Sequence, residues 1–168
     1  MFGNMFKSME YSKKANILYK NLKGGEGSNQ KSCKCCSFCC WLKPCNLSKE
    51  DIAIMAKHFH LTRKKLFKKY LVVDTASAKD GHFTLTPIRK EWQSYAGKYL
   101  PSNATYDINT PCTFLDETTK KCTLHGLAKP YGGRTAKCWT KMVGKVHSFS
   151  KDELKKIVGW DGDTNWDD

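Results

Sequence analysis

The sequence predicts a mainly α fold with a small β-hairpin, a single loop-rich domain organised around its cysteines. Three observations predict it. Five of the nine cysteines fall within eight residues, Cys33 to Cys40, and Cys45 follows closely. Apolar residues recur at helical spacing behind capping residues at Ser48, Thr62 and Ser150. Two short β-prone segments, 113–115 and 121–124, flank a polar turn from Asp116 to Lys120.

Taken in order, residues 9–23 present Ile17, Leu18, Tyr19 and Leu22 as anchors of a short amphipathic helix. The glycine-rich stretch 24–30 reads as a linker or exposed loop. Ser48, with Asp51 in the first turn, starts a helix that carries Ile52, Met55, Ala56 and Phe59 and ends near His60. Thr62 caps a second helix with Leu66, Phe67, Tyr70 and Leu71 inward and Arg63, Lys64, Lys65, Lys68 and Lys69 on its other side. Asp80-Gly81 is a turn signal, and residues 82–86 alternate as a short strand. Ile88, Trp92, Tyr95, Ala96 and Tyr99 recur at helical spacing and predict a third helix, against which Gly97 argues. Pro130, Gly132 and Gly133 mark a loop. Ser150 to Glu153 form a capping box ahead of Leu154, Ile157, Val158 and Trp160. The expected division is an N-terminal helix and linker over 1–30, a cysteine-cluster domain over 31–147, and a C-terminal helix with an acidic tail over 148–168 packing on it.

The 168 residues suffice for one domain with a core, and 40% hydrophobic with 12% aromatic residues argues against wholesale disorder. No apolar run approaches the roughly 18 residues of a membrane span. The N-terminal stretch mixes lysines with apolar residues and has no continuous apolar core of a signal peptide. A cytoplasmic protein without a membrane partner is therefore expected. The formal charge of +13 suits either a lysine-rich solvated surface or an anionic partner such as nucleic acid. It counts cysteines as neutral, which metal binding would change.

Packing gives no reason to crowd five thiols into one turn-sized segment. Convergence of thiolates on a cation does. Cys33-x-x-Cys36 and Cys36-x-x-Cys39 are both chelating steps, and together they resemble the first three ligands of an iron–sulfur site. Adjacent cysteines sit about 3.8 Å apart at Cα, below the disulfide range of about 4.4–6.8 Å. The odd cysteine count also disfavours a disulfide framework. The expected cofactor is Zn²⁺ or iron, mononuclear or as an Fe–S cluster. Cys112, Cys122 and Cys138 are isolated and too few for a four-thiolate site of their own. The simplest arrangement brings them to the N-terminal cluster. His125, three residues after Cys122, either completes a set of three thiolates and one imidazole or is a hydrogen-bonded neighbour. His58 and His60 are two apart on a helix and face different ways. The tail from Asp161 resembles half a calcium loop but lacks the glycine and the twelfth position such a loop needs.

These elements resemble the YkgJ-type cysteine-cluster proteins, described as a zinc- or iron-chelating domain with the motif CxxCxxCC. Cys33-x-x-Cys36-x-x-Cys39-Cys40 matches that motif. Leu47-Ser48-x-Glu50-Asp51-Ile52 resembles the segment opening the family's first helix. Pro111-Cys112-Thr113-Phe114-Leu115-Asp116 matches its Cys-x-Phe-Leu element, and Lys121-Cys122-Thr123-Leu124-His125 resembles its Cys-x-Ile-Tyr element. Arg134 to Trp139 stands where the family shows Arg-Pro-x-x-Cys-Arg, with Thr135 and Trp139 departing from it. The resemblance covers about 33–139. It implies metal ligands at Cys33, Cys36, Cys39, Cys40, Cys112, Cys122 and Cys138. Cys45 is an additional candidate with His125, and Cys35 a neighbouring thiol. It implies little about chemistry, so no catalytic residue is assigned. The functional expectation is a metal-binding protein. The alternatives are an iron–sulfur redox or radical-assisting enzyme component and a metal-scaffolded nucleic-acid-binding module.

Overall fold

A capping box opens the first helix. Ser48 Oγ accepts from the Asp51 N–H at 3.0 Å, and Asp51 Oδ2 accepts in return from the Ser48 N–H at 2.9 Å. Helix α1, Lys49–His58, follows and buries Ile52, Met55 and Ala56. His60, with φ at 54°, turns the chain, and Thr62 caps α2, Arg63–Tyr70, by accepting from the Lys65 N–H at 3.2 Å. Leu66 and Phe67 point inward while Arg63, Lys64, Lys65, Lys68 and Lys69 stay exposed. The structure is a computed structural model and describes residues 40–41, 45–75, 78, 80–105, 107–124 and 147–165. The helix expected over 9–23, the linker 24–30 and the loop at 130–133 lie outside those residues.

The chain then departs from expectation. Leu71 is not the last inward residue of α2. It is extended, with φ −123° and ψ 157°, and opens β1, Leu71–Asp74. β1 pairs antiparallel with β2, Thr84–Pro87, Val73 lying opposite Leu85. Both strands are buried throughout. Leu71, Val73 and Leu85 face the main core, and Val72 faces a second cluster with Ile88, Leu100 and Ala104. A strand covered on two faces has no polar alternation to announce it.

The third predicted helix is replaced by a 3₁₀ turn, Lys90–Tyr95, kinked at Trp92. Ile88 belongs to the sheet side, its N–H donating to the Tyr70 carbonyl at 2.8 Å. Gly97 takes φ +81°, and Tyr99 bridges to Val73. A short helix α3, Ser102–Thr105, follows. The predicted hairpin forms as β3, Leu115–Asp116, and β4, Lys121–Cys122, with Leu115 opposite Cys122. Asp116 closes its turn by accepting from the Thr118 and Thr119 amides and the Thr119 hydroxyl. Helix α4, Lys151–Val158, begins at the Ser150 capping box and ends at Gly159 with φ 74°. The described architecture is thus mixed, helices with two small antiparallel strand pairs, where a mainly α chain with one hairpin was expected.

α1, β1 and α4 each pack on α2. Leu154, Ile157, Val158 and Trp160 enter the same core as Ile52, Met55, Leu66 and Phe67. Each such side chain contributes about 1.5–3 kcal/mol on burial. Trp160 meets Phe83 edge-on at 4.9 Å between ring centroids. Among the described residues, no helix is long and apolar enough to cross a membrane.

Candidate metal centre

Cys40, Cys45, Cys112 and Cys122 fall among the described residues. Cys33, Cys36, Cys39, Cys138 and His125 lie outside them, as does Cys35. The backbone N–H of Cys112 donates to the Cys40 carbonyl at 2.7 Å. This bond joins the end of the N-terminal cysteine segment to the first of the distal cysteines. Cys112 is buried in the main core, and Cys40 and Cys122, both half-buried, pack against that core. The turn from Cys112 to Leu115 is closed by the Leu115 N–H on the Cys112 carbonyl at 3.0 Å, and β3–β4 pairing sets Cys122 opposite Leu115. Cys45 is half-buried two residues before Leu47, whose N–H donates to the Leu85 carbonyl at 2.9 Å. It does not share the cluster that gathers the other three. Among the described residues, no three His, Cys, Asp or Glu side chains form a metal-holding group by themselves.

One residue that the sequence reading passed over organises this region. Arg89 sits between Ile88 and Lys90 on an extended segment that pairs with the Cys112 segment. The Thr113 N–H donates to the Ile88 carbonyl and the Lys90 N–H to the Pro111 carbonyl, each at 2.9 Å, with Arg89 bridged to Cys112. Only 1% of Arg89 is exposed. Its Nε donates to the Thr105 carbonyl at 2.8 Å. Its Nη1 lies within donating distance of the carbonyls of Trp41 at 2.7 Å, Thr110 at 3.0 Å and Cys40 at 3.1 Å. An arginine is seldom fully buried, so nothing in the residue type predicted this. The only sequence hint is its place directly after the alternating strand and Pro87.

Burial pushes the Cys112 thiol up to about 11, opposed by the Phe114 amide and raised further by the neighbouring Cys122 thiol. The Arg89 and Lys90 charges act in the lowering direction. A thiol so held is a poor nucleophile at neutral pH. To ionise there it needs a cation close by, and metal coordination supplies one. Cys112 is thus poorly suited to thiol catalysis, and the sulfurs of Cys40, Cys112 and Cys122 are donors of the kind a thiophilic metal takes.

Asp161 and Asp163 of the tail serve local turns instead. Asp161 accepts from the Asp163 amide and Asp163 from the Asn165 amide.

A family model matches residues 32–156, well over half of the chain: CxxCxxCC, described as a "putative zinc- or iron-chelating domain". The chain belongs to this CxxCxxCC family. No curated protein and no solved structure matches it.

Proposed function

We propose that the chain binds zinc or iron through the thiolates of Cys33, Cys36, Cys39, Cys40, Cys112, Cys122 and Cys138, with Cys45 and His125 as further donors. The observation that supports this reading is the Cys112–Cys40 backbone bond, which holds the last residue of the N-terminal cysteine run beside the first of the distal cysteines. The family description supports the metal class. Thiolates suit both zinc and iron, and in a closed thiolate site either ion adds folding energy through its bonds to segments distant in sequence. The chain's own part is to deliver the donors: the β3–β4 hairpin carries Cys122, and the Arg89-paired segment carries Cys112. Cysteines kept as thiolates place the protein in a reducing compartment such as the cytoplasm.

Anaerobic purification followed by elemental analysis and an absorption spectrum tests the reading. Stoichiometric zinc in colourless protein, or stoichiometric iron, supports it and says which metal is held. A folded chain with neither metal, and with none taken up on titration, overturns it.

A further inference from the structure

Three helices bring cations to one place. Lys49 is the first residue of α1, Arg63 the first of α2, and Lys156 lies in the last turn of α4. With Glu153 and Ile157 they line a cavity of about 230 Å³. Ile157 is buried and gives the lining an apolar part, while the four charged residues are exposed. The one carboxylate here is already engaged. Glu153 Oε2 accepts from the Ser150 amide at 2.8 Å and from the Ser150 hydroxyl at 3.1 Å. Those bonds, and more weakly the Lys49 and His82 charges, hold its carboxyl below the usual range. Among the described residues, none of the three cations has an ion-pair partner. Glu50 and Asp152, the neighbouring exposed acids, do not line the cavity. The lining therefore holds an excess of two positive charges. The start of α2 adds to it: Arg63, Lys64 and Lys65 stand there with no acid in the first turn, opposite to the charge pattern a helix start favours. That pattern costs stability in the free chain, and an anion in the cavity offsets it.

We propose that this cavity between α1, α2 and α4 binds a phosphate group, as the free ion or as a monoester on a larger ligand. Such a group carries a charge of about −1.5 to −2 at neutral pH, which matches the excess on the lining. A carboxylate would neutralise half of it. The guanidinium of Arg63 presents a planar fork fitted to phosphate oxygens, and the two ammonium groups add donors and charge from other helices. Size sets the limit. Pockets for drug-sized ligands run to about 300–1,000 Å³, so this cavity takes the anionic group and leaves the rest of a larger molecule outside. No cysteine lines it, so the assignment stands apart from the metal reading.

The test titrates the full chain with inorganic phosphate and, separately, with phenyl phosphate, using acetate as the singly charged comparison. Backbone amide shifts locate the binding and calorimetry measures it. Wild type is compared with Arg63→Gln, Lys156→Gln and Lys69→Gln, the last removing the same charge from an exposed site on α2 outside the cavity. The expected result is saturable phosphate binding that shifts the amides of Lys49, Arg63 and Lys156. It weakens on the order of tenfold or more in Arg63→Gln and Lys156→Gln, holds in Lys69→Gln, and exceeds binding of acetate. Tighter binding of phenyl phosphate supports a monoester as the ligand, and tighter binding of inorganic phosphate supports the free ion. If one cavity variant does not fold, the other decides. The proposal is overturned by absence of saturable binding in wild type, or by binding that leaves those three amides unmoved. Equal weakening in Lys69→Gln also overturns it, since that marks diffuse attraction to a basic surface, as does acetate bound as tightly as phosphate.

Discussion

The hydroxyl of Thr105 donates to the buried carboxylate of Asp74 at 2.6 Å, while the carbonyl of the same residue accepts from Arg89 Nε at 2.8 Å. Thr105 thus ties the end of β1 to the arginine that holds the Cys40 segment. Ser102 adds a second hydroxyl on Asp74 at 2.9 Å. Thr105→Val keeps the shape and removes one donor from a buried acceptor. The expected cost is on the order of 1–3 kcal/mol, read as a lower denaturation midpoint at unchanged slope. A neutral result would mean that the network has slack.

The two capping boxes give a second prediction. Ser48→Ala removes the acceptor for the Asp51 amide and should cost about 1 kcal/mol, within a range of roughly 0.5–2 kcal/mol. Ser48→Thr should recover most of it, because its hydroxyl can both accept from the Asp51 amide and donate to the Asp51 carboxylate. Urea denaturation of both variants checks the order.

Gly97 and Gly81 separate two kinds of backbone demand. Both have positive φ, but a Cβ on Gly81 would meet nothing within 4 Å, whereas on Gly97 it would lie 2.9 Å from the Lys68 Cα. Asparagine tolerates the left-handed region, so Gly81→Asn should be nearly neutral. Gly97→Asn should destabilise by more than about 1 kcal/mol because backbone must move. Equal effects in thermal denaturation would contradict the close approach to α2.

Much of this fold was legible because local chemistry was sufficient. Ser48, Thr62 and Ser150 cap the helices their sequences announce, and the hairpin forms around the polar turn at Asp116–Lys120. The failures were tertiary. Leu71 read as the last inward residue of a helix, because a strand buried on both faces shows no alternation to announce it. Ile88 to Tyr99 kept a helical rhythm, but Ile88 is taken by the sheet and Gly97 takes a positive φ that no helix continues. At the site, the crowding of Cys33 to Cys40 spoke for metal directly. The burial of Arg89 was not legible in this way, since its acceptors at Cys40, Trp41, Thr105 and Thr110 are all far from it in sequence.

Protonation of Cys112 supplies a prediction with opposite signs in two states. Burial raises this thiol from 9.0 to about 11, so the folded, metal-free chain holds its proton more tightly than the unfolded chain. That stability is complete below about pH 9 and is lost as pH rises through about 11. With metal bound the ligand is a thiolate, protons compete with the metal, and stability falls as pH is lowered. The difference in stability between wild type and Cys112→Ala, followed against pH with and without metal, should slope in opposite directions. The same slope in both states would remove Cys112 from the ligand set.

The central claim is that Cys40 and Cys112 serve one metal centre. Its most direct test is the zinc and iron content per chain of anaerobically purified wild type, Cys40→Ser, Cys112→Ser and, as a thiol control outside the ligand set, Cys35→Ser. The account predicts that wild type and Cys35→Ser carry the same metal load and that Cys40→Ser and Cys112→Ser each lose most of it. Full metal occupancy in folded Cys112→Ser would contradict it, leaving the N-terminal cysteines to bind metal alone and Cys112 as a buried core thiol.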